Sequence, residues 1–524
     1  MPFQPNSEVY FLNLPIEKDY EHQIYFSSKS EQDNYMFSKR VEGMYFPSLS
    51  YIKNNAGEVS NSIVRVDKNI DELYKCNYMM YRNTYYTDKW FYCFITKLEY
   101  KSQGCTYVHF ETDVYQTWMF DVTFQASFVE REHVMDDSIG VHTINEQLEC
   151  GEYVINKVDR DSKLETSPYI VIGSTVNVAE NEEDVGGVYN GLYSGIKYYC
   201  YPVVGGEAVT TITKALQSLT DNGRADAVSS VFLAPTFLLP DANSSHVIEE
   251  TYEPISYFYE TTAPTTINNY NPKNKKLLCF PYRYLLVSNG NGATAEYYYE
   301  YFAQNIPYFN VIGALCPGCS IRIIPLNYKG NVAPEHEGLN AGKFPQCNWA
   351  TDNYTNWLTI NGVPMATNAV NQVAGVVGNA VTGNIGGAVM GGVSALTSIV
   401  DSVHQTSMAD RVPPQARGNI NCGDVVTSAN MNTFHYYHMS IKSEYAKILD
   451  KFFDMFGYKI NKVKIPNLNG RPKWNYVKTR ACNIDGAIPQ DDLVKFKEIF
   501  NKGVTLWKSS SVIGDYTQDN TLSE

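Results

Sequence analysis

Residues 106–121 read Thr106-Tyr107-Val108-His109-Phe110-Glu111-Thr112-Asp113-Val114-Tyr115-Gln116-Thr117-Trp118-Met119-Phe120-Asp121. The first five of these are mostly aromatic or β-branched, a composition that favours a β-strand, and the strongly apolar stretch 114–120 follows. Residues 8–12 and 90–95 are runs of the same kind, and turn residues separate them from their neighbours. Together these runs predict a β-rich N-terminal domain over residues 1–165.

The region 166–350 is predicted to be an inserted domain of mixed α+β and β-rich character. Residues 198–203 and 231–234 have the composition of strands, and residues 208–219 carry apolar side chains at helical spacing. Residues 285–288 and 297–299 predict a β-hairpin around the turn Asn289-Gly290-Asn291-Gly292.

The C-terminal region 426–524 returns to an ordinary globular composition. Apolar residues recur every three or four positions between residues 441 and 456, and Gly457 lies where a glycine commonly ends a helix. Residues 493–500 repeat this pattern before Gly503. Residues 458–465 and 474–477 are predicted strands on either side of the turn Asn469-Gly470-Arg471-Pro472.

The charge and cysteine content narrow the functional classes. The 524-residue chain has a formal net charge of −14, which disfavours a role in gripping nucleic acid but permits an acidic wall along which DNA slides. Eleven cysteines and an N-terminus without signal-peptide features predict reduced thiols in a protein made in a cytoplasm. Because no run of about 20 apolar residues occurs, no ordinary transmembrane helix is expected.

Few residues suggest catalysis or metal binding. Cys316-Pro317-Gly318-Cys319 is a CxxC pair without two further closely spaced ligands, so a plain turn is the favoured interpretation. Glu130-Arg131-Glu132-His133, followed by Asp136 and Asp137, is interpreted as a solvated strand end or loop. The acidic run 180–184 lacks the frame of a calcium loop. A pair of carboxylates for glycoside hydrolysis is defined by the distance between them in the folded protein and not by their spacing in the sequence. The sequence therefore leaves this possibility open. We therefore expect no enzyme activity, no metal and no cofactor.

Residues 353–400 contain no Asp, Glu, Lys, Arg or His, although charged residues make up 19% of the chain. Gly383, Gly387 and Gly391 are spaced as in membrane helices that approach each other closely. Glycine disfavours a helix in water, however, and asparagines interrupt the apolar surface. A flexible linker is one interpretation. A membrane-active segment that inserts when several copies act together is favoured, because linkers usually carry charge and rarely so many valines.

The membrane-active interpretation assigns residues 351–425 to a loop and linker rich in glycine, alanine and valine. The candidate membrane-contacting residues are Val363, Val370, Val373, Val376, Val377, Val381, Gly383, Ile385, Gly387, Val389, Met390, Gly391, Val393, Leu396 and Ile399.

Two groups of longer strings carry a family resemblance. The first comprises Trp90-Phe91-Tyr92, Leu98-Glu99-Tyr100-Lys101, residues 106–121 and Arg131-Glu132-His133-Val134. The second comprises Gly457-Tyr458-Lys459-Ile460-Asn461-Lys462-Val463-Lys464-Ile465-Pro466-Asn467-Leu468, Asn475-Tyr476-Val477-Lys478-Thr479 and Gly503-Val504-Thr505-Leu506-Trp507. Both groups resemble the tail knob (distal tail tube) proteins of short-tailed phi29-like phages.

This resemblance implies a mainly β fold with α+β insertions, in which β-barrel-like domains of six copies form a homohexameric ring. The regions 1–165 and 426–524 would build the tube domain, and 166–350 would be inserted into it. The tube would conduct the genome during ejection. The hydrophobic loop of each copy would plug the lumen and then be released to penetrate the host cytoplasmic membrane.

The implied partners are further copies of the chain, the upper tail tube or collar, a tail-tip cell-wall-degrading protein and the host membrane. Phage DNA would pass through the lumen without sequence-specific binding. The implied location is the virion tail, after synthesis in the host bacterial cytoplasm. Two other functions stay open at this point, a receptor-binding module and a cell-wall-degrading protein at the tail tip.

Overall fold

The computed structural model describes residues 7–52, 62–83, 87–164, 169–178, 188–189, 192–193, 196–202, 214, 218, 227–239, 246–248, 250–251, 255–289, 292–316, 319–329, 338–341, 346–348, 419–421 and 433–522. The chain divides into two compact units. The first unit contains residues 1–150, 270–277 and 443–524, and the second contains residues 151–269 and 278–442. The four domains predicted from the sequence stay predictions.

Strands dominate the described residues. The first ten are β1 (Ser7–Leu12), β2 (His22–Ile24), β3 (Arg40–Pro47), β4 (Tyr51–Ile52), β5 (Ser62–Val66), β6 (Tyr78–Asn83), β7 (Thr87–Ser102), β8 (Cys105–Thr112), β9 (Val122–Phe124) and β10 (Ser127–Glu132). The next ten are β11 (Tyr153–Arg160), β12 (Tyr169–Ser174), β13 (Val188–Tyr189), β14 (Leu192–Tyr193), β15 (Lys197–Pro202), β16 (Val228–Ala234), β17 (His246–Ile248), β18 (Glu250–Thr251), β19 (Ile255–Glu260) and β20 (Arg283–Ser288). The remaining strands are β21 (Thr294–Tyr297), β22 (Tyr308–Ala314), β23 (Ser320–Pro325), β24 (Leu339–Asn340), β25 (Gln346–Asn348), β26 (Asn419–Asn421), β27 (His435–Ile441), β28 (Tyr458–Lys464), β29 (Trp474–Ala481), β30 (Ile484–Gly486) and β31 (Val504–Trp507).

The α-helices of the described residues are short. They are α1 (Lys29–Ser38), α2 (Ile70–Leu73), α3 (Val114–Trp118), α4 (Ser443–Phe456) and α5 (Gln490–Lys502). The mainly β fold predicted from the sequence is therefore confirmed.

The first unit contains a seven-stranded sheet in the order β3-β1-β6-β7-β8-β5-β4. The runs at residues 8–12, 90–95 and 106–110 all lie in its strands, as predicted. The apolar stretch after β8 instead begins with helix α3, which Asp113 caps by accepting a hydrogen bond from the backbone N–H of Gln116. All five residues of α3 are buried, so its apolar character reflects burial on every side.

A second sheet of the first unit has the order β2-β31-β29-β10-β28, and a separate pair joins β30 to β9. Both predicted strands around residues 469–472 are present. They do not pair with each other, because β10 lies between them and bonds to both. Strands separated by more than 300 residues in sequence thus form one sheet.

Both predicted C-terminal helices are confirmed as α4 and α5. Gly457 ends α4 with a φ of +64°, a backbone conformation that side chains with a Cβ rarely adopt. A Cβ at Gly457 would also overlap the carbonyl oxygen of Glu132. Glycine is therefore required at this helix end for two independent reasons.

The described residues of the second unit form four sheets. Their orders are β11-β27-β20-β21, β17-β15-β12-β16-β25-β26, β19-β22-β23-β24 and β14-β13-β18. The hairpin predicted at residues 285–299 is confirmed as the antiparallel pair β20–β21, although Tyr298 and Tyr299 lie beyond the strand. The strands predicted at 198–203 and 231–234 are β15 and β16. The helix predicted at 208–219, as a continuous element, and the acidic run 180–184 lie outside the described residues.

Candidate functional site

Strands β25 and β26 form the edge of the six-stranded sheet in the second unit. They pair antiparallel, with Gln346 opposite Asn421, Cys347 opposite Ile420, and Asn348 opposite Asn419. Paired residues in such a ladder have Cα atoms only about 4.5–5.5 Å apart. Residues 349–418 therefore begin and end at neighbouring points on one sheet edge. We call the β25–β26 pair the stem.

The stem is attached to a well-packed support. β25 pairs with β16, which pairs with β12, and every residue of β12 is buried. Val171, Ile172 and Phe232 have almost no solvent exposure and belong to one large apolar cluster. The base from which residues 349–418 depart is thus paired with a strand of a folded core.

The predicted membrane-active residues belong to the segment that the stem encloses. Residues 349–418, and with them every candidate from Val363 to Ile399, lie outside the described residues. Within the part of the chain that the structure describes, no helix is long and apolar enough to cross a membrane.

A second feature of the same unit is the four-stranded sheet β11-β27-β20-β21. Among the described residues, β11 and β21 each pair on one side only, so the sheet has two open edges. No residue of β11 is buried, and Ile155 and Val158 are 53% and 43% exposed. An edge strand with branched apolar side chains in water is a common feature of protein interfaces.

Apolar side chains continue from β11 across one face of this sheet. Two rows of register partners form it, namely Ile155–Met439–Tyr284 and Val158–Tyr437–Leu286. Leu285 and Val287 in β20 point into the core. Successive side chains of a strand point to opposite faces, so Tyr284 and Leu286 lie on the other face, where they are only half-buried. We call this surface the outer face.

A buried polar cluster lies on the opposite side of the sheet. His438 Nδ1 is 2.7 Å from the Tyr299 hydroxyl, and its Nε2 is 3.0 Å from Asp159 Oδ2. Burial lowers the pKa of His438, although the neighbouring carboxylate of Asp159 opposes this effect. Thr261 Oγ1 donates to the same carboxylate at 2.6 Å. Each group has a structural partner, so the cluster stabilises the sheet.

The charged residues at 130–133 are also structural. Glu132 and His133 are almost completely buried, so their interpretation as a solvated strand end is wrong. The reason is that β10 is paired on both sides. His133 Nδ1 accepts from the N–H of Tyr476 at 2.7 Å, and burial lowers its pKa to about 3. Glu132 accepts from Lys464 and from the N–H of Asn467.

Across the described ranges, no group of three or more His, Cys, Asp or Glu side chains has an arrangement that could hold a metal ion.

Comparison with known proteins identifies the family. The model of the C-terminal domain of the tail knob protein gp9 of Bacillus phage phi29 matches residues 241–521, more than half of the chain. The chain belongs to the phi29 gp9 tail knob family. A second model, for the N-terminus of caudoviral major tail proteins, matches residues 6–123.

Whole-length relatives agree with this assignment to the tail knob family. The chain is 28% identical to the tail knob protein gp9 of Bacillus phage PZA and to that of phage phi29, with 97% of each chain covered. The likeness thus extends well beyond the motifs near residues 75–160 and 440–517. The bacteriophage C1 tail knob protein gp12 has the same fold, with a TM-score of 0.65 at 14% identity over 99% of this chain and 100% of that one.

The tail knob assignment confirms the predicted family and gives the chain a structural role in the phage virion tail.

Proposed function

We propose that six copies of this tail knob protein form a closed tube that conducts the phage genome during ejection. The hydrophobic loops, residues 351–425 of each copy with the charge-free stretch 353–400 at their centre, plug the lumen and are released to penetrate the host cytoplasmic membrane. The tube joins the upper tail tube or collar and a tail-tip cell-wall-degrading protein. DNA passes through it without sequence-specific binding. The protein is made in the host bacterial cytoplasm.

The observation that carries this proposal is the pairing of Asn348 with Asn419. Because the stem returns the chain to its starting point, residues 349–418 are an excursion from one sheet edge and do not link separate domains. An extended chain spans about 3.3 Å per residue, so a doubled-back segment of this length reaches roughly 115 Å. The hydrocarbon core of a bilayer is about 30 Å thick. The excursion is long enough to cross it while its base stays folded.

The open-edged sheet supports assembly into a ring. A heterologous contact, in which one surface meets a different surface of the next copy, generates a ring when the rotation from copy to copy closes. The open edges differ in the sign of an exposed charge, since Arg160 is exposed in β11 and Glu296 is exposed in β21. Lys157 of β11 forms an ion pair with Asp159 of its own strand. Pairing β11 of one copy with β21 of the next would satisfy both edges and cover Ile155 and Val158.

Dye release from sealed vesicles tests the membrane role. Full-length protein should release a self-quenching dye, whereas a variant in which residues 360–400 are replaced by an equally long Gly/Ser segment should not. The replacement keeps the length and the stem, so it isolates the apolar composition. Equal release by both proteins, or no release at any pH, would reject membrane penetration and leave the tube role standing.

A further inference from the structure

Cys316 and Cys319 lie at the tip of the β22–β23 hairpin in the second unit. The last register pair of this hairpin is Ala314 with Ser320. Beyond it, the backbone N–H of Cys319 donates to the carbonyl oxygen of Cys316 at 2.7 Å. A hydrogen bond of this kind joins the fourth residue of a β-turn to the first. It therefore agrees with the turn that the sequence predicts here. The two cysteines are thus the first and last residues of the turn.

The turn geometry matches the requirement of a disulfide bond. A β-turn brings the Cα atoms of its first and fourth residues within 7 Å. Disulfides join residues whose Cα atoms are about 4.4–6.8 Å apart. The Cα separation across the turn therefore lies within the range that a disulfide can span, and neither cysteine is in a disulfide here.

The surroundings assign different roles to the two thiols. Cys316 is half-buried and reachable by a small reagent, whereas Cys319 is 9% exposed. Burial raises the pKa of the Cys319 thiol well above its usual value, and the nearby thiols of Cys316 and Cys200 act in the same direction. Because the thiolate is the attacking species, Cys316 is the thiol that reacts first with an external oxidant.

A third thiol lies close to this pair. Cys200 in β15 has no solvent exposure and interacts electrostatically with Cys319. The three sulfurs are not arranged as a metal site, in keeping with the lack of such groups across the described ranges.

We propose that Cys316 and Cys319 are a redox-sensitive pair that forms a disulfide when the protein meets a small-molecule disulfide such as oxidised glutathione. The Cys316 thiolate attacks one sulfur of the oxidant, which forms a mixed disulfide and releases one glutathione thiol. The Cys319 thiolate then attacks the Cys316 sulfur, which forms the intramolecular S–S bond and releases the second thiol. The protein loses two protons and two electrons, which convert one oxidised glutathione into two reduced molecules.

This reaction fits the two environments of a virion protein. Cytoplasmic glutathione and thioredoxin keep thiols reduced, and disulfides persist outside the cell. The tail knob would be folded and assembled with a reduced turn and oxidised after release. The bond would then join the two strands at the hairpin tip covalently, without altering the rest of the second unit.

Peptide mass analysis of the full-length protein tests the proposal. Protein purified under reducing conditions is incubated with oxidised glutathione, blocked with an alkylating agent and digested. The expected result is that the peptide containing residues 316 and 319 loses two hydrogens and resists alkylation until it is reduced. Both thiols remaining alkylatable under excess oxidant would overturn the proposal, as would a bond between Cys200 and Cys319.

Single variants test the order of the two steps. Cys319→Ser should stop the reaction at a stable glutathione adduct on Cys316, because no second thiol resolves it. Cys316→Ser should give little adduct on the buried Cys319. Cys150→Ser, which removes another half-buried thiol of the chain, is the matched control and should leave the 316–319 bond unchanged. Equal adduct formation in both single variants would contradict the assigned roles.

Discussion

Asn348 and Asn419 are register partners in adjacent antiparallel strands, although residues 349–418 separate them in the sequence. The partnership fixes both ends of residues 349–418, which include the charge-free stretch 353–400, to the edge of a sheet whose inner strand β12 is buried. A segment held in this way can change its environment without unfolding its base. The stem therefore separates the part of the tail knob that we propose to move from the part that stays in place.

Cross-linking across the stem tests this partnership. In a Cys347→Ser background, the double variant Asn348→Cys/Asn419→Cys should oxidise to an intramolecular disulfide, because register partners have Cα atoms about 4.5–5.5 Å apart. The matched control is Asn348→Cys/Asn421→Cys, whose residues are offset by two positions. Digestion and mass analysis would report the bond. A higher yield in the offset pair would contradict the register.

Charge on the outer face should weaken assembly. Ile155→Lys and Val158→Lys should each raise the protein concentration at half-assembly at least about tenfold, since burying one such side chain contributes about 1.5–3 kcal/mol. Neither change should alter the melting temperature of the dissociated protein, because both side chains already contact water. Light scattering would measure the assembled fraction.

The control for the outer face is Val494→Lys in α5, whose side chain is 46% exposed and lies in the first unit. We expect this variant to assemble like the unmodified chain. If all three variants assemble normally, β11 is not part of a subunit interface.

Gly457→Ala should destabilise the first unit strongly. Its positive φ alone costs an L-residue about 1–2 kcal/mol, and the new Cβ would also overlap the Glu132 carbonyl. We expect a loss of at least about 3 kcal/mol in the free energy of unfolding. Gly104→Ala is the matched control, because Gly104 has a φ of +76° but nothing within 4 Å of an added Cβ. Equal losses in denaturant titrations would argue against the close approach at Glu132.

Asp113 should make stability depend on pH. Burial raises its pKa to about 7, against the opposing effect of hydrogen bonds from Gln116 and Tyr78. Since the unfolded value is about 3.9, the folded state holds a proton that the unfolded state has lost between these pH values. The contribution of Asp113 to stability therefore falls as pH rises from about 4 to about 7, and this loss is complete above pH 7.

Asp113→Asn removes this titration and keeps a side-chain oxygen for capping α3. Relative to the unmodified chain, the variant should gain stability between pH 4 and pH 8, by up to roughly 4 kcal/mol for a shift of this size. Denaturant titrations at both pH values would measure the difference. A constant offset between the two proteins would show that Asp113 does not titrate in this range.

Much of the fold could be predicted from local patterns. Three runs rich in β-branched and aromatic residues all lie in strands, namely 8–12, 90–95 and 106–110. Glycines 457 and 503 mark helix ends because their backbone conformations require them. The run 114–118 forms a helix instead of continuing the strand pattern, since a short apolar run fits a buried helix as well as a buried strand.

Long-range partners could not be predicted in the same way. The pairing of β10 with β28 and β29 joins residues more than 300 positions apart, and it buries Glu132 and His133 against a local pattern that resembles a surface. The proximity of Cys200 to the CxxC turn and the pairing within the stem could not be predicted from local sequence for the same reason. Residues 346–348 and 419–421 carry no pattern that identifies them as partners.

Images of the assembled tail knob test the central claim most directly. Electron micrographs of the full-length chain and of a variant lacking residues 360–400 should both show a closed sixfold ring. We predict density that blocks the channel of the full-length ring and an empty channel in the deletion variant. A chain that forms no closed ring, or channels that look the same in both proteins, would contradict the account.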